Sequence, residues 1–342
     1  MTRADRVGII GRGYALGSRI RENDDPIFEY VMAHPPPDRD LFDGLKYRRA
    51  LADGQTGVSI AVEAAQAALD DARLSAPDVD MLLGTVSAGQ YYAPNALAAV
   101  HAHLQLPDRC RVIALSTEYT AFLDGMKLAH DLIGSGSIGR ALVVASADWT
   151  AHMDYHEAVC VAASDAAGAA VVGRTLDTSC FTLVDWDNET NSHLYGALRM
   201  SPRPVTAVPS TCTGPQGLFT TPLMQLDPSG GAAAVKTFGL PVPPLVVNRL
   251  LARHGISGQD ITLVAHQTSG LIFSEWNARI RPACFISTLT DLADMVSATV
   301  PVNLAKCRDQ IKTDHLVLLG VGMEMHATAM LYARNAGASL RC

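Results

Sequence analysis

Two polar positions in the last third of the chain have the residue types of a catalytic base and its partner. His266 ends the apolar run at residues 260–265, and Asp294 opens the segment at residues 294–301. If the two side chains meet, the carboxylate holds the imidazole in one tautomer, makes it more basic and stabilises its cation, which suits proton abstraction near neutral pH. Taken alone, His266 is more typical of a satisfied core histidine, and Asp294 of an ordinary turn.

The elements around these positions predict an α/β chain, because short apolar runs alternate with amphipathic helices. Predicted strands cover residues 7–11, 80–85, 111–115, 141–146, 260–265 and 315–320, and predicted helices cover residues 58–72 and 122–133. The run at 260–265 mirrors 80–85, and 315–320 mirrors 141–146, so the core is predicted to be duplicated. We place the halves at 1–175 and 176–342. Residues 200–231 are rich in Pro, Gly, Ser and Thr and predict a surface excursion near the site.

Length and composition limit the function classes. A chain of 342 residues can bury a full core, and its net charge of −7 argues against nucleic acid as a partner. The apolar runs are too short to span a bilayer, and no cationic, apolar N-terminal stretch predicts a signal peptide. Seven cysteines are scattered without metal-binding spacing, so we expect reduced thiols in a cytoplasmic protein.

Three weaker patterns favour ordinary structure over chemistry. The glycines of residues 11–17 imitate a dinucleotide loop, but their spacing indicates a turn. His152 and His156 lack an obvious third metal ligand. A cluster of basic residues could equally hold a CoA or carrier phosphate or form a solvated face, and it comprises Arg39, Lys46, Arg48 and Arg49. We therefore predict no metal site and no permanently bound cofactor.

Several motifs resemble those of one family, the ketoacyl-ACP synthases III of the thiolase superfamily. Residues 163–172 resemble the family's Gly-Asp-Gly-Ala-Gly-Ala-Ala strand start, and His266-Gln267 resembles its His-Gln-Ala-Asn motif. Residues 297–301 resemble the end of its Asn-Thr-Ser-Ala-Ala-Ser-Val-Pro motif, and residues 320–322 its glycine-rich oxyanion turn. The matches occur in family order along nearly the whole chain. The resemblance implies a thiolase-like fold, with duplicated βαβαβαββ halves in a five-layered αβαβα sandwich, and a homodimer.

The chain departs from the family at the positions that matter most for chemistry. Counting back without gaps from Ser135-Gly136 places Tyr119 where the family has its nucleophilic cysteine. The family's asparagine falls on Asp294, and its tryptophan near the C-terminus falls on Met325. Its arginine for carrier docking falls on Leu271, which puts a standard carrier interaction in doubt.

The elbow at residues 116–122 therefore has no thiol to accept an acyl group. A phenol is a poor acyl acceptor, so Tyr119 is predicted to donate a hydrogen bond or to fill the pocket. Ser116 is a weaker alternative nucleophile, and Glu118 is either a site carboxylate or a partner of the helix dipole. With Met325, these two residues are predicted to line the site, and the backbone N–H groups of Val321 and Tyr119 to hold the oxyanion.

These residues predict a non-condensing acyltransferase of secondary metabolism. The co-substrate would be an acyl-CoA or an acyl carrier protein, and His266, oriented by Asp294, would deprotonate a hydroxyl or amine that attacks the thioester directly. One alternative is a decarboxylase or an unusual carbon–carbon condensing enzyme acting on a β-ketoacyl thioester. Another is a catalytically degenerate partner subunit of an active ketosynthase. Retention of a His–Asp pair favours an enzyme.

Overall fold

A computed structural model describes residues 6–35, 38–87, 91, 93–203 and 221–334. The strands are Arg6–Leu16 (β1), Arg19–Glu22 (β2), Tyr47–Ala50 (β3), Met81–Val86 (β4), Arg111–Ala114 (β5), Arg140–Ala147 (β6), Ala166–Thr175 (β7), Thr182–Thr190 (β8), Leu198–Arg203 (β9), Thr221–Leu226 (β10), Ile261–Ala265 (β11), Cys284–Ile286 (β12), His315–Gly322 (β13) and His326–Ala333 (β14). The α-helices are Glu29–Ala33 (α1), Gly57–Asp71 (α2), Leu97–His103 (α3), Ala121–Gly134 (α4), Gly231–Ala234 (α5), Val242–Arg253 (α6), Gly270–Ile280 (α7), Leu289–Leu292 (α8) and Thr299–Lys306 (α9).

The main sheet repeats one connectivity on both sides of its centre. Its strand order is β12-β11-β13-β14-β8-β1-β7-β6-β4-β5. Read outward from the centre, β1-β7-β6-β4-β5 and β8-β14-β13-β11-β12 follow the same relative order along the chain. The halves meet where Gly8 of β1 pairs with Thr182 of β8. In each half a two-stranded sheet follows the first strand, β2-β3 in one and β9-β10 in the other. The division at residues 175 and 176 stays a prediction.

Helices cover the sheet in three layers. Met126 of α4 lies in one core with Val143 of β6 and Leu318 of β13, so α4 is packed between the two halves, and α9 shares this central layer. Ile60 of α2 packs on the outer face of the first half, and Trp276 of α7 packs on the outer face of the second. The arrangement is the five-layered αβαβα sandwich expected from the resemblance.

One local prediction was wrong. Residues 11–17 do not form a turn, because β1 runs without a break from Arg6 to Leu16. The glycines serve packing instead. A Cβ on Gly11 would lie 2.3 Å from the carbonyl oxygen of Ala68, and one on Gly13 would lie 2.2 Å from that of Ala64. Only glycine lets α2 approach β1 this closely, so the pattern marks a helix–strand contact.

The fold brings the candidate residues to one end of the central layer. Tyr119 lies in the short turn Glu118–Thr120 before α4, and Asp294 lies in the loop between α8 and α9. His266 directly follows β11. Within the described ranges, no helix is both long enough and apolar enough to cross a membrane.

Candidate functional site

His266, Asp294 and Tyr119 line a single cavity of about 100 Å³, together with Val321 and Met325. The rest of its wall is mainly apolar and includes Leu41, Phe42, Val159, Leu198, Met224, Leu226, Val235, Ile272 and Trp276. Met224 and Leu226 come from β10, so the predicted excursion at residues 200–231 reaches the site through this strand; residues 204–220 lie outside the described residues. An apolar wall with a few convergent polar groups suits a ligand with an apolar chain.

The imidazole and the carboxyl group face each other without a hydrogen bond. His266 Nε2 lies 3.7 Å from Asp294 Oδ2, which is within ion-pair range but beyond a normal hydrogen bond. Both residues are 5% exposed. His266 Nδ1 is buried and finds no hydrogen-bond partner among the residues that the structure describes. Asp294 Oδ1 accepts a hydrogen bond of 2.7 Å from the backbone N–H of Val296.

Burial reverses the protonation expected from the sequence. Removal from water lowers the pKa of His266 to about 3, partly opposed by the backbone of Val296. The same effect raises the pKa of Asp294 to about 8, against hydrogen bonds from Val296 and Thr299. Burial therefore favours a neutral imidazole and a protonated carboxyl group. The spacing alone would permit an ion pair, but burial opposes charge on both partners. The expectation that Asp294 makes His266 more basic was wrong for this reason.

A buried polar network fixes the loop that carries Asp294. The side-chain amide of Gln267 donates to the carbonyl oxygen of Ala293 at 2.8 Å, and its oxygen accepts from Asn303 Nδ2 at 3.2 Å. The backbone of Asp294 pairs with residues 162–164, through Asp294 N–H to the Ala162 oxygen and Ser164 N–H to the Asp294 oxygen, both 2.9 Å. Asn303 was not predicted, and an asparagine inside a helix gives no sequence signal for this role.

Strained backbone surrounds the cavity. Four non-glycine residues near it have positive φ, namely Glu118 (41°), Ala293 (50°), Val296 (52°) and Met325 (53°). A β-branched residue such as Val296 rarely adopts this conformation, and such strain collects at functional sites where the surroundings enforce it. Since none of the four is glycine, the sequence carries no sign of this feature. The structure thus maintains a costly loop geometry around Asp294.

We expect the strain at Ala293 to be measurable as stability. Ala293 has φ 50° and ψ −144°, whereas the equally buried Ala298 has φ −82° and ψ −11°. Ala293→Gly should leave the free energy of unfolding unchanged or raise it by up to about 1 kcal/mol, because glycine adopts the native conformation freely. The matched control Ala298→Gly should lose about 1 kcal/mol. Denaturant unfolding measures both, and an equal loss at the two positions would contradict strain at Ala293.

Tyr119 packs edge-on against two other rings of the site. Its ring centroid lies 5.0 Å from that of His266 and 5.4 Å from that of Trp149, edge-on in both cases. Burial raises its pKa well above the ordinary value, and the nearby Asp294 and Glu118 add to the shift. The phenol therefore stays protonated, so phenolate nucleophilicity has no support here.

The elbow before α4 is held by a single carboxylate. Thr117 Oγ1 and Thr120 Oγ1 donate to Asp124 Oδ2 at 2.6 and 2.9 Å. Asp124 lies in the first turn of α4, where a negative charge is stabilised by the helix dipole. These two hydrogen bonds fix the elbow against the first turn of α4.

Of the three residues predicted to line the site, the structure places one in the cavity wall. Met325 contributes to it. Ser116 is exposed, and Glu118 turns away to accept a hydrogen bond of 2.8 Å from Ser87 Oγ. Burial raises the pKa of Glu118 despite that hydrogen bond. Val321 lies in the wall, opposite Ala327 of the neighbouring strand.

Arg48, one member of the basic cluster, is buried in the core. Arg48 is 3% exposed and donates to the carbonyl oxygen of Val161 at 2.6 Å, while its guanidinium packs over the Phe28 ring. Burial lowers the pKa of Arg48 to about 10. Arg48 is therefore not available to a phosphate group, and phosphate binding by Arg39, Lys46 and Arg49 stays a prediction.

The candidate metal ligand His156 lies against an aromatic ring. His156 packs on the Tyr30 ring with centroids 4.1 Å apart. In the part of the chain that the structure describes, no three His, Cys, Asp or Glu side chains are arranged to hold a metal ion. No cysteine is found among the described residues of the cavity wall.

Comparisons with known proteins agree with this architecture. The model of the family described as 3-oxoacyl-[acyl-carrier-protein (ACP)] synthase III matches residues 114–192. The β-ketoacyl-[acyl-carrier-protein] synthase III of Thiobacillus denitrificans is 27% identical over 91% of this chain and 93% of its own length. The crystal structure of the synthase III FabH from Pseudomonas aeruginosa PAO1 matches 96% of this chain and 98% of that chain, with a TM-score of 0.78 and 24% identity. A crystal structure of Xanthomonas campestris OleA matches 96% of this chain and 98% of that chain, with a TM-score of 0.81 and 17% identity.

The fold and these similarities define the class. The chain is similar in sequence to ketoacyl-ACP synthases III along most of its length, and it has the thiolase-like fold of the solved structures it matches. Its curated relatives are named as enzymes that act with an acyl carrier protein.

Proposed function

We propose that this protein is a non-condensing acyltransferase that moves an acyl group from a CoA or carrier-protein thioester to a hydroxyl or amine. One observation carries the proposal: a neutral buried imidazole, His266, faces an apolar cavity whose described wall holds a phenol, Tyr119, and no thiol. A neutral imidazole can accept a proton, whereas the phenol cannot replace a thiolate.

The reaction needs one proton acceptor and one oxyanion site. His266 takes the proton of the acceptor, the acceptor oxygen or nitrogen bonds to the thioester carbon, and the C–S bond breaks with its electrons going to sulfur. Backbone N–H groups of Val321 and Tyr119, with the Tyr119 hydroxyl, hold the developing oxyanion. The apolar wall accommodates the acyl chain. An adjoining polar cleft shares Phe42 with the cavity, and we propose it as the route by which the acceptor enters.

We also propose a homodimer. Strand β5, at residues Arg111–Ala114, is the outermost strand of the main sheet in the first half and pairs on one side with β4. An unpaired strand edge is a template for a second copy. Light scattering of the protein purified alone tests this proposal. The alternative hypothesis is a catalytically degenerate partner subunit of an active ketosynthase, which the absent thiol favours. Such a subunit should be unstable or monomeric when it is purified alone.

The direct mechanism predicts that no acyl-enzyme accumulates. Incubation with short- and medium-chain acyl-CoA thioesters, followed by intact-protein mass spectrometry, should show the unmodified mass while free CoA is released in the presence of an alcohol or amine. An acyl adduct mapped to Tyr119, Ser116 or any cysteine would overturn direct transfer. Hydroxylamine treatment distinguishes a thioester adduct from an ester adduct.

A further inference from the structure

Asp294 has one oxygen committed to the backbone and one directed toward His266. Oδ1 accepts from the Val296 N–H at 2.7 Å, and Oδ2 lies 3.7 Å from His266 Nε2. Both oxygens belong to a carboxyl group that lines the cavity and is 5% exposed. A carboxyl group in this position can either accept a second hydrogen bond as an anion or present a proton to the cavity.

The surroundings favour the second state. The titratable side chains that face Asp294 are His266, after β11, and Tyr119, before α4; Thr299 of α9 adds a hydroxyl. Behind Tyr119 lies Glu118, which is influenced by Glu324 beyond β13, so both more distant groups are acids. Among the described residues, the one ion-pair partner of Asp294 is His266 itself, and no lysine or arginine reaches it. A buried carboxylate without a cation is costly, which favours the neutral acid.

Resting on the acyltransferase function proposed above, we propose that the His266–Asp294 pair carries a single proton on Asp294, and that Asp294 delivers this proton to the leaving sulfur. As the acceptor attacks, its proton passes to His266. The C–S bond breaks, and the sulfur takes the proton from Asp294 Oδ2 and leaves as a neutral thiol. The imidazolium and the carboxylate that remain face each other, and the proton moves from Nε2 to Oδ2. This last step restores the starting state with no net gain or loss of protons.

The apolar cavity explains why an acid is useful there. A thiolate released into a buried, apolar site lacks the water that stabilises it, so protonation during C–S cleavage lowers the barrier. Asp294 then acts as a catalytic acid, which differs from the orienting role expected from the sequence. An asparagine at this position could donate a hydrogen bond but could not transfer a proton.

Leaving-group dependence separates an acid from an orienting group. The rate of thiol release would be measured in the presence of an alcohol acceptor with two substrates. One is an alkyl thioester, octanoyl-N-acetylcysteamine, and the other is an aryl thioester, octanoyl thiophenol. We expect Asp294→Asn to be slower on the alkyl thioester by at least about tenfold and to return close to the wild-type rate on the aryl thioester, whose thiolate leaves without a proton. An equal loss on both substrates would overturn the acid role. An unchanged rate on both would overturn it as well.

The pH profile supplies a second readout. Because burial raises the pKa of Asp294 to about 8, its acid form is present below that pH and is lost above it. The wild-type rate on the alkyl thioester should therefore fall as pH rises through about 8, and this fall should be absent in Asp294→Asn. A wild-type rate that stays level through that range would contradict a proton held by Asp294.

A measurement without substrate separates this inference from the proposed function. The infrared difference spectrum between wild type and Asp294→Asn at neutral pH should contain the carbonyl band of a protonated carboxyl group, and the band should vanish at alkaline pH. If the band is present but no thioester supports transfer, the acyltransferase proposal fails and the proton placement stands. If transfer occurs but the band is absent, the placement of the proton on Asp294 is wrong. Thermal unfolding checks that the near-isosteric Asp294→Asn is folded.

Discussion

Replacing His266 with alanine is expected to slow acyl transfer by roughly 10²–10⁴-fold, because the acceptor then loses its base. The loss should appear mainly in kcat, since the imidazole acts on the proton that moves in the transition state. Because burial lowers the pKa of His266 to about 3, the base form is present throughout neutral and mildly acidic solution. The wild-type rate should therefore show no fall caused by this residue between pH 7 and about pH 5.

The chain offers a matched control for this variant. His130 is also 5% exposed, and burial lowers its pKa to about 4, but it lies in α4 outside the cavity wall and bonds the Tyr332 hydroxyl at 3.1 Å. His130→Ala should lower the free energy of unfolding and leave the rate per folded molecule unchanged. If His266→Ala behaved like His130→Ala, the imidazole would be structural, and the acyltransferase proposal would lose its main support.

The parts of the fold that depend on periodicity could be predicted from the sequence. Predicted strand 141–146 is observed as Arg140–Ala147, and predicted helix 122–133 as Ala121–Gly134. Both elements are buried on several sides, so their apolar patterns are long and regular. The matching runs of the two halves also indicated the repeated strand order. The glycines of β1 were misassigned because a glycine in tight helix contact and a glycine in a turn look alike in one sequence.

The candidate site could be predicted less completely, because protonation and strain depend on the surroundings. The residue types at His266, Asp294 and Tyr119 were visible, and the fold places all three in one cavity. Their charge states were not visible, since burial opposes the attraction between an imidazole and a carboxylate only once the folded chain encloses both groups. The positive φ of Val296 and the network at Gln267 arise from contacts distant in sequence, for which no local pattern exists.

Tyr119→Cys is expected to convert the site into one that forms a covalent adduct. A thiol at this position would lie just before α4, where the helix dipole favours a thiolate, and beside a neutral imidazole that can take its proton. The smaller side chain also opens space in the cavity. The variant should gain labelling by acyl-CoA and by iodoacetamide, seen as a mass shift mapped to residue 119, while transfer to the natural type of acceptor falls because the thiol retains the acyl group.

Two further variants show what the new thiol and the original phenol each contribute. Labelling should be much slower in the double variant Tyr119→Cys/His266→Ala, which keeps the helix terminus but has no base. The wild-type protein gives the background labelling of the natural cysteines.

Tyr119→Phe keeps the ring packed against Trp149 and removes only the hydroxyl. A fall in transfer of roughly tenfold or more would identify a hydrogen-bond donor in a desolvated site, whereas little change would identify a packing residue. If Tyr119→Cys stayed inert to every acyl donor and alkylating agent, Tyr119 would not occupy the nucleophile position or the cavity would be closed to thioesters, and a partner subunit without catalysis would become the better account of this chain.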